Sequence, residues 1–150
     1  MKNEFQVIAE LIEKEKKVLD VGCGYNEFKG KIDNLIGIDP YNDLADIQIS
    51  TLDYKSEQLF DVVLCLGSVN FGNRDKIVAE VRLGVKLLAD NGTMFFRVNP
   101  GVQHDKPEAK WIEFFGWNVP FIIELSEIFN LKVLVFTTQI RRKKQSQILI

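Results

Sequence analysis

The 150 residues are enough for one domain with a buried core, and the apolar share of 46% is ordinary for a folded globular chain. A formal net charge of -2 gives no bulk attraction to nucleic acid or to an anionic membrane, and no apolar run is long enough to span a bilayer. The N-terminus lacks a signal-peptide core and the two cysteines make no disulfide framework, so we expect a single cytoplasmic domain over residues 1–150.

The first predicted element is an amphipathic helix over residues 4–15. Phe5, Ile8, Leu11 and Ile12 recur at the spacing that places side chains on one helical face. We expect this helix to cover one face of a sheet.

The stretch 17–25 reads as a short apolar strand that runs through Asp20 into a turn containing Gly22 and Gly24. Glycines allow a ligand to lie directly against the main chain, and a strand, a glycine turn and a helix start together are the usual geometry for a nucleotide-like cofactor. The same residues also suit a plain tight turn. Glu27 stands where a dinucleotide-binding fingerprint needs a small residue, which argues against an oxidoreductase that binds a dinucleotide.

A second strand, Leu35–Ile38, ends in Asp39, nineteen residues after Asp20. An acidic residue at about this distance along the chain is placed to accept hydrogen bonds from a ribose diol.

The segment Val18–Gly24 resembles the first motif of class I S-adenosylmethionine-dependent methyltransferases, an acidic residue followed by any residue and then GxG. Ile36–Asp39 resembles the second, ribose-binding motif of that family. The resemblance implies an α/β fold, a Rossmann-like doubly wound sheet of seven strands, mostly parallel, with an antiparallel C-terminal hairpin strand and reduced helical cover. It also implies S-adenosylmethionine as the cofactor, whose ammonium and sulfonium suit a carboxylate beside the glycine turn.

Between the two motifs, residues 26–31 leave room for only two helical turns. Beyond Pro40, the segment Ala45–Ser50 alternates apolar and polar residues, as an edge strand with one wet face does. A second copy of the chain is one candidate to cover that face, which would make a homodimer.

The resemblance gives the next loop, Thr51–Tyr54, a role at the adenine ring. Asp53 would accept a hydrogen bond from the adenine amino group, with Leu52 and Tyr54 as apolar walls. The other interpretation is that Asp53 caps a short helix over 55–59.

The nearly all-apolar run Asp61–Leu66 predicts a central parallel strand. Asn73 is expected to cap a helix over 74–89. A turn at 90–92 then leads into a strand, Thr93–Val98. Gly67 and the residues after it lack the Asn-Pro-Pro-Tyr motif of enzymes that methylate amino groups of nucleic-acid bases. An acceptor in nucleic acid is therefore not favoured, although RNA stays open.

Residues 99–118 are irregular and rich in aromatic side chains, and we expect this loop to recognise the methyl acceptor. Trp111 and Trp117 would either stack on a planar acceptor or cover the core. His104 is a candidate catalytic base by its ordinary pKa, with Asp105 or Tyr25 as alternatives.

The last predicted elements are a helix beginning at Pro120 and a hairpin. Phe121, Ile122, Leu125, Ile128 and Phe129 form the expected buried stripe of that helix. The β-rich run Leu131–Thr138 precedes the basic turn 141–144 and the final strand.

The sequence thus predicts a methyltransferase that acts on an unidentified acceptor, a small molecule or a protein, and requires no metal. A binding subunit without catalysis, within a heteromer, is the alternative. The predicted cofactor-binding residues come from the carboxyl ends of four successive strand regions: Asp20, Gly22, Cys23, Gly24, Tyr25, Asp39, Pro40, Leu52, Asp53, Tyr54, Leu66, Gly67 and Ser68.

Overall fold

The computed structural model of the chain describes residues 3–100, 113–134, 137–141 and 145–149; at Glu4 and in the last two ranges it describes the backbone. Three helices and six strands are formed in this part of the chain: α1 Glu4–Glu10, β1 Val18–Val21, β2 Leu35–Ile38, β3 Phe60–Cys65, α2 Arg74–Leu87, β4 Leu88–Val98, α3 Val119–Ile128, β5 Thr137–Arg141 and β6 Gln145–Leu149. None of the described helices is long and apolar enough to cross a membrane.

The strands form one sheet in the order β2-β1-β3-β4-β6-β5. β1 pairs in parallel with β2 and β3, and β3 pairs in parallel with β4. Since helices cover both faces, β1 and β3 are buried on both sides, which explains their nearly continuous apolar runs. The carboxyl ends of four parallel strands therefore meet at one edge of the sheet.

Two apolar clusters lie on opposite faces of the sheet. The larger packs α2 and α3 against side chains such as Leu19 and Val63. The smaller packs α1 against side chains such as Val18 and Leu64. Alternate residues of β1 and β3 thus belong to different layers, and this alternation later decides which face each site residue occupies.

At the C-terminus, β6 pairs antiparallel with β4 on one side and with β5 on the other. The last strand in sequence therefore lies between two earlier ones. Within the β-rich run Leu131–Thr138, residues 131–134 form no regular structure, and the described strand β5 covers Thr137–Arg141.

The prediction of seven strands is wrong for the described residues, which form six. Ala45–Ser50, the expected edge strand, makes a single parallel bridge, from Ile47 to Ile38. The Asp46 carboxylate accepts a hydrogen bond from the Gly37 N–H at 2.8 Å, and the Asp46 N–H donates to the Gly37 carbonyl at 2.9 Å. A loop thus forms hydrogen bonds with backbone groups on the edge of β2 that would otherwise have bonded to a paired strand.

Three predicted helices differ from those observed. α1 ends at Glu10 instead of residue 15, because the charged run 13–17 has no apolar side chain to bury against the sheet. Residues 26–31 form tight turns and not helical ones, since Asn26 adopts a positive φ of 57°. The helix predicted over 55–59 is absent, and the 3₁₀ turn there is Thr51–Asp53.

The two longer helices begin where the sequence predicts. The Asn73 side chain accepts from the Lys76 N–H to cap α2, and Pro120 lies in the first turn of α3. Ile128 was expected in the buried stripe of α3 but is 48% exposed. The predicted turn at 90–92 is a bulge within β4, where the register with β3 shifts and Asn91 has a φ of 61°.

Candidate functional site

Two carboxylates flank the glycine turn at the edge where the parallel strands end. The register places Asp20 beside Gly37 and Val21 beside Ile38, so that Asp39 follows directly at the tip of the neighbouring strand. The two acidic groups are close enough that the charge of Asp39 raises the pKa of Asp20. The structure thus brings both predicted acidic residues to one place.

Asp39 joins the glycine turn to the loop after β2. One carboxylate oxygen accepts from the Gly24 N–H at 3.1 Å. The other accepts from the N–H groups of Tyr41 at 2.8 Å and Asn42 at 3.0 Å. A carboxylate has about four acceptor positions, so three backbone bonds leave capacity for one more donor, such as a hydroxyl.

Gly22 and Gly24 both have positive φ angles, 65° and 54°, but their surroundings differ. A Cβ atom on Gly22 would lie 2.3 Å from the Cβ of Ser68, whose hydroxyl donates to the Val21 carbonyl at 2.9 Å. A Cβ atom on Gly24 would meet nothing within 4 Å. Gly22 is therefore required by packing against the loop after β3, whereas Gly24 borders open space where a ligand can approach the main chain.

Asp20 is 3% exposed, and burial raises the pKa of its carboxyl group to about 7. The positive charge of Arg97 opposes this increase, and the negative charge of Asp39 adds to it. A buried acid in this state is stabilised in its ionised form by any further cation that binds beside it.

Cys23 and Cys65 are free, buried thiols at the same edge. Burial raises the pKa of the Cys23 thiol to about 12, with the charges of Asp20 and Asp39 adding to the effect. Burial likewise raises the pKa of Cys65. Both cysteines are therefore protonated at neutral pH and unsuited to act as nucleophiles.

Arg97, near the carboxyl end of β4, was missed by sequence reasoning. Its Nε donates to the Leu66 carbonyl at 2.7 Å, and its Cζ lies 6.0 Å from the centre of the Phe5 ring on α1. A signal was available, since a charged residue inside an otherwise apolar strand is the feature that singled out Asp20.

Of the residues predicted to contact the adenine ring, Leu52 and Asp53 lie in the 3₁₀ turn Thr51–Asp53 and Tyr54 directly follows it. The Ser50 hydroxyl donates to Asp53 at 2.7 Å, so this carboxylate already has one partner. Leu52 is 47% exposed, whereas Tyr54 is buried in the core at 5%. Pro40 is exposed at the neighbouring strand tip. Of the two predicted apolar walls, Leu52 is thus the more accessible.

The loop after β3 is held in place by Asn70, a second residue that the sequence did not single out. The Asn70 amide donates to the carbonyls of Gly67 at 3.2 Å and Arg97 at 3.3 Å, and its oxygen accepts from the Asn99 N–H at 2.8 Å. The ends of β3 and β4 are thereby tied together. Nothing in the local sequence marks this residue, because its partners are distant in the chain.

Trp117 covers the core, the second of its two predicted roles. It is 2% exposed, and its indole N–H donates to the Val69 carbonyl at 2.8 Å. The ring packs against Phe121, with ring centres 4.9 Å apart. The predictions for His104, Asp105 and Trp111 concern residues outside the described part of the chain.

Tyr25, directly after the glycine turn, is 74% exposed. Leu66 is buried at the end of β3, and Gly67 and Ser68 are half-buried after it. Apart from residues 52–54, the predicted residues therefore lie at or directly after the ends of β1, β2 and β3, with Asp20 buried and Tyr25 exposed. No group of three residues suited to hold a metal ion occurs among the described residues.

No protein-family model and no curated protein sequence matches the chain. Solved structures match its fold. Against 1,6-didemethyltoxoflavin-N1-methyltransferase of Burkholderia thailandensis, the TM-score is 0.75 at 15% identity, with 97% of this chain and 74% of the other covered. Against the N-methyltransferase NodS of Bradyrhizobium japonicum, it is 0.69 at 15% identity, with coverages of 96% and 89%.

A third match is the magnesium protoporphyrin IX methyltransferase of Synechocystis, solved with S-adenosylmethionine bound. Its TM-score is 0.69 at 12% identity, and the match covers 95% of this chain and 72% of that one. The chain therefore has the fold of S-adenosylmethionine-dependent methyltransferases. At such identities the likeness concerns the fold, so the chemistry must be argued from the site itself.

Proposed function

We propose that the chain is a methyltransferase that takes its methyl group from S-adenosylmethionine. The observation that carries this proposal is the pair of acidic residues around the glycine turn, with Asp39 bonded to the Gly24 N–H and Asp20 buried beside it. Matching structures solved with S-adenosylmethionine or S-adenosylhomocysteine bound support it.

The described residues fit this cofactor. Open space beside Gly24 leaves room for a group against the main chain, and the remaining acceptor capacity of Asp39 suits a ribose hydroxyl. The buried acid Asp20 favours a cationic group such as an ammonium. The proposed contacts follow the cofactor from its methionine end to its adenine end: Asp20, Gly22, Cys23, Gly24, Tyr25, Leu66, Gly67 and Ser68, then Asp39 and Pro40, then Leu52, Asp53 and Tyr54.

The work of the protein in this reaction is to align the reactants and exclude water. When bound, the cofactor supplies an electrophilic methyl group on a sulfonium, with the leaving group already in place. Alignment of two reactants can contribute about 7–11 kcal/mol toward lowering a barrier. The hydrogen bonds of Asp39, Ser68 and Asn70 hold the loops of the site in fixed relation, which is what alignment requires.

We propose a small molecule as the acceptor. Two of the matching enzymes are named for didemethyltoxoflavin and for magnesium protoporphyrin IX. The loop 99–118 remains the predicted region of acceptor recognition, although residues 101–112 lie outside the described part of the chain. Residues 1–150 would act as one cytoplasmic domain. A protein or an RNA acceptor, or a binding role without catalysis, would appear as the outcome of an acceptor screen.

Isothermal titration calorimetry tests the cofactor directly. We expect micromolar binding of S-adenosylmethionine and S-adenosylhomocysteine, and none of NAD. Replacement Asp39→Ala should weaken binding by roughly 1–3 kcal/mol, because a charged hydrogen-bond partner is lost. Asp43→Ala, at an exposed position in the same loop, is the matched control and should leave affinity unchanged.

If Asp39→Ala binds as tightly as the parent chain while remaining folded by circular dichroism, the pocket is assigned to the wrong residues. Release of S-adenosylhomocysteine in the presence of candidate acceptors would then distinguish an enzyme from a binding subunit.

A further inference from the structure

Asn26 ends the turn that follows β1 in a backbone conformation that few side chains adopt. Its φ is 57°, it is 7% exposed, and its N–H donates to the Cys23 carbonyl at 2.9 Å. Glycine adopts such a backbone most easily, and asparagine is one of the few other residues that tolerate it. The turn itself therefore does not require an amide at this position, and the reason for one must lie in its contacts.

The side-chain amide of Asn26 joins this turn to the loop after β2. Its Nδ2 donates to the Leu44 carbonyl at 3.0 Å and to the Asp46 carboxylate at 3.5 Å. Asp46 in turn accepts from the Gly37 N–H and pairs with the Lys29 ammonium. A side chain at the end of the glycine turn is thus bonded to a loop residue eighteen positions further along the chain.

The amide fits closely against β2. A Cβ atom on Gly37 would lie 2.5 Å from the Asn26 Oδ1 and 3.0 Å from the Cys23 Sγ. The Oδ1 atom is buried and accepts no hydrogen bond from the described residues. A buried amide oxygen without a donor destabilises a fold, and groups kept at such a cost cluster at functional sites. The position of this one, between two segments of the candidate site, indicates that the amide serves to hold them together.

The two segments that Asn26 joins would bind different parts of the cofactor. Under the proposed function, the glycine turn binds the methionine end, and Asp39 at the start of the loop after β2 binds the ribose. A ligand that bridges two segments binds more tightly when their spacing is already fixed, because less conformational freedom is lost.

We propose that Asn26 is a positioning residue, which fixes the glycine turn and the loop after β2 relative to each other so that both bind one ligand at once. This inference rests on the proposed function. It assigns a role in binding to a residue that touches no part of the cofactor itself.

Two ligands that differ in the segments they reach test the proposal by calorimetry. S-adenosylhomocysteine spans both segments, whereas adenosine has the ribose and the base alone. Asn26→Gly removes the amide and suits the positive φ, so it should preserve the fold. We expect the affinity of this variant for S-adenosylhomocysteine to fall about 5- to 30-fold more than its affinity for adenosine.

Asn26→Asp gives a second measurement, because it keeps the size of the side chain and replaces the donor by an oxygen. We expect the same selective loss at neutral pH. Asn34→Gly is the matched control, since the Asn34 amide donates to the Lys14 carbonyl at 3.2 Å, and both residues precede the strands β1 and β2. It removes a similar bond away from the candidate site and should leave the ratio of the two affinities unchanged.

A residue that only supports the fold would weaken both ligands equally when replaced. Equal weakening of both ligands in the Asn26 variants, or no weakening of either, would therefore overturn the inference. So would a parent chain that binds S-adenosylhomocysteine no more tightly than adenosine, because there would then be no two segments to couple. If the parent chain binds neither ligand, the proposed function itself fails, which is a separate result.

Discussion

Asp20 illustrates how the burial of an acidic side chain costs stability. Its pKa in the folded chain is raised from 3.8 to about 7, so the folded protein holds a proton between these values that the unfolded chain has released. The free energy of unfolding therefore falls as the pH rises from about 4 to about 7. Under the proposed function, the same carboxylate would pair with a cationic group of the cofactor, which would offset this cost in the bound state.

The first prediction at this scale is that Asp20→Asn stabilises the ligand-free protein at pH 8, and by less than about half as much at pH 5, where only part of the ionisation cost applies. Asparagine resembles the protonated acid, so it removes the cost of ionisation, and we expect a gain of about 1–3 kcal/mol in the free energy of unfolding at pH 8. Denaturation in urea at both pH values measures it. Equal effects at pH 5 and pH 8 would contradict the raised pKa.

Asp43→Asn, an exposed acid in the loop after β2, is the control for that experiment. It should change the free energy of unfolding by less than about 0.5 kcal/mol at either pH. Under the proposed function, Asp20→Asn should also bind S-adenosylhomocysteine more weakly, so the stabilised variant would be the poorer binder.

The two glycines of the turn give a second prediction. Both have positive φ, so alanine strains either position by about 1 kcal/mol. At Gly22 the added Cβ would also overlap Ser68, and we expect Gly22→Ala to cost about 1–3 kcal/mol more than Gly24→Ala. Ser68→Gly in the Gly22→Ala background should recover part of this excess. Thermal unfolding of the three variants measures it, and equal losses at both glycines would refute the packing argument.

At the scale of elements, the edge of β2 shows how a loop can substitute for a strand. Asp46 accepts from the Gly37 N–H, and its other oxygen pairs with the Lys29 ammonium at 2.6 Å. The ion pair and hydrogen bonds from Gly37 and Asn26 lower the pKa of Asp46 despite an opposing effect of burial. The Asp46 side chain therefore binds the edge of β2 at the place where a hydrogen-bonded strand was expected.

Asp46→Ala should accordingly destabilise the fold by about 1–2 kcal/mol, because the Gly37 N–H loses its acceptor. Asp43→Ala, three residues earlier and exposed, is the control and should have almost no effect. Urea denaturation of both variants measures the difference. Equal stability of Asp46→Ala and the parent chain would mean that water replaces the carboxylate at no cost.

At the scale of the whole molecule, the order β2-β1-β3-β4-β6-β5 decides where the site lies. Four parallel strands deliver their carboxyl ends to one edge, so residues from distant parts of the chain meet there. Asn70 and Trp117 then fasten the loop after β3 to β4 and to the segment that leads into α3. These hydrogen bonds join residues that are distant in sequence, so the loops of the candidate site are held together by tertiary contacts.

Local sequence was sufficient to predict a feature wherever the residue type at that position has one main structural role. The buried strands follow from apolar runs, the start of α2 follows from the capping residue Asn73, and the placement of Asp20 and Asp39 follows from strand ends beside glycines. The same reasoning failed over Ala45–Ser50, where alternation predicted a strand and the carboxylate of Asp46 bound the edge instead. The spacing of apolar residues shows which side chains can be buried. It does not show which side chain will form a hydrogen bond with a backbone N–H or carbonyl group.

By itself, then, the sequence determined the type of fold and the acidic residues around the glycine turn, because both depend on neighbours in the chain. Only the tertiary structure brought Arg97 toward Asp20, required Gly22 to be small because of Ser68, and assigned Trp117 to the core. These three features depend on contacts between residues about 50 to 80 positions apart in the chain. Closing such long loops costs chain entropy, which is offset only when the whole sheet forms.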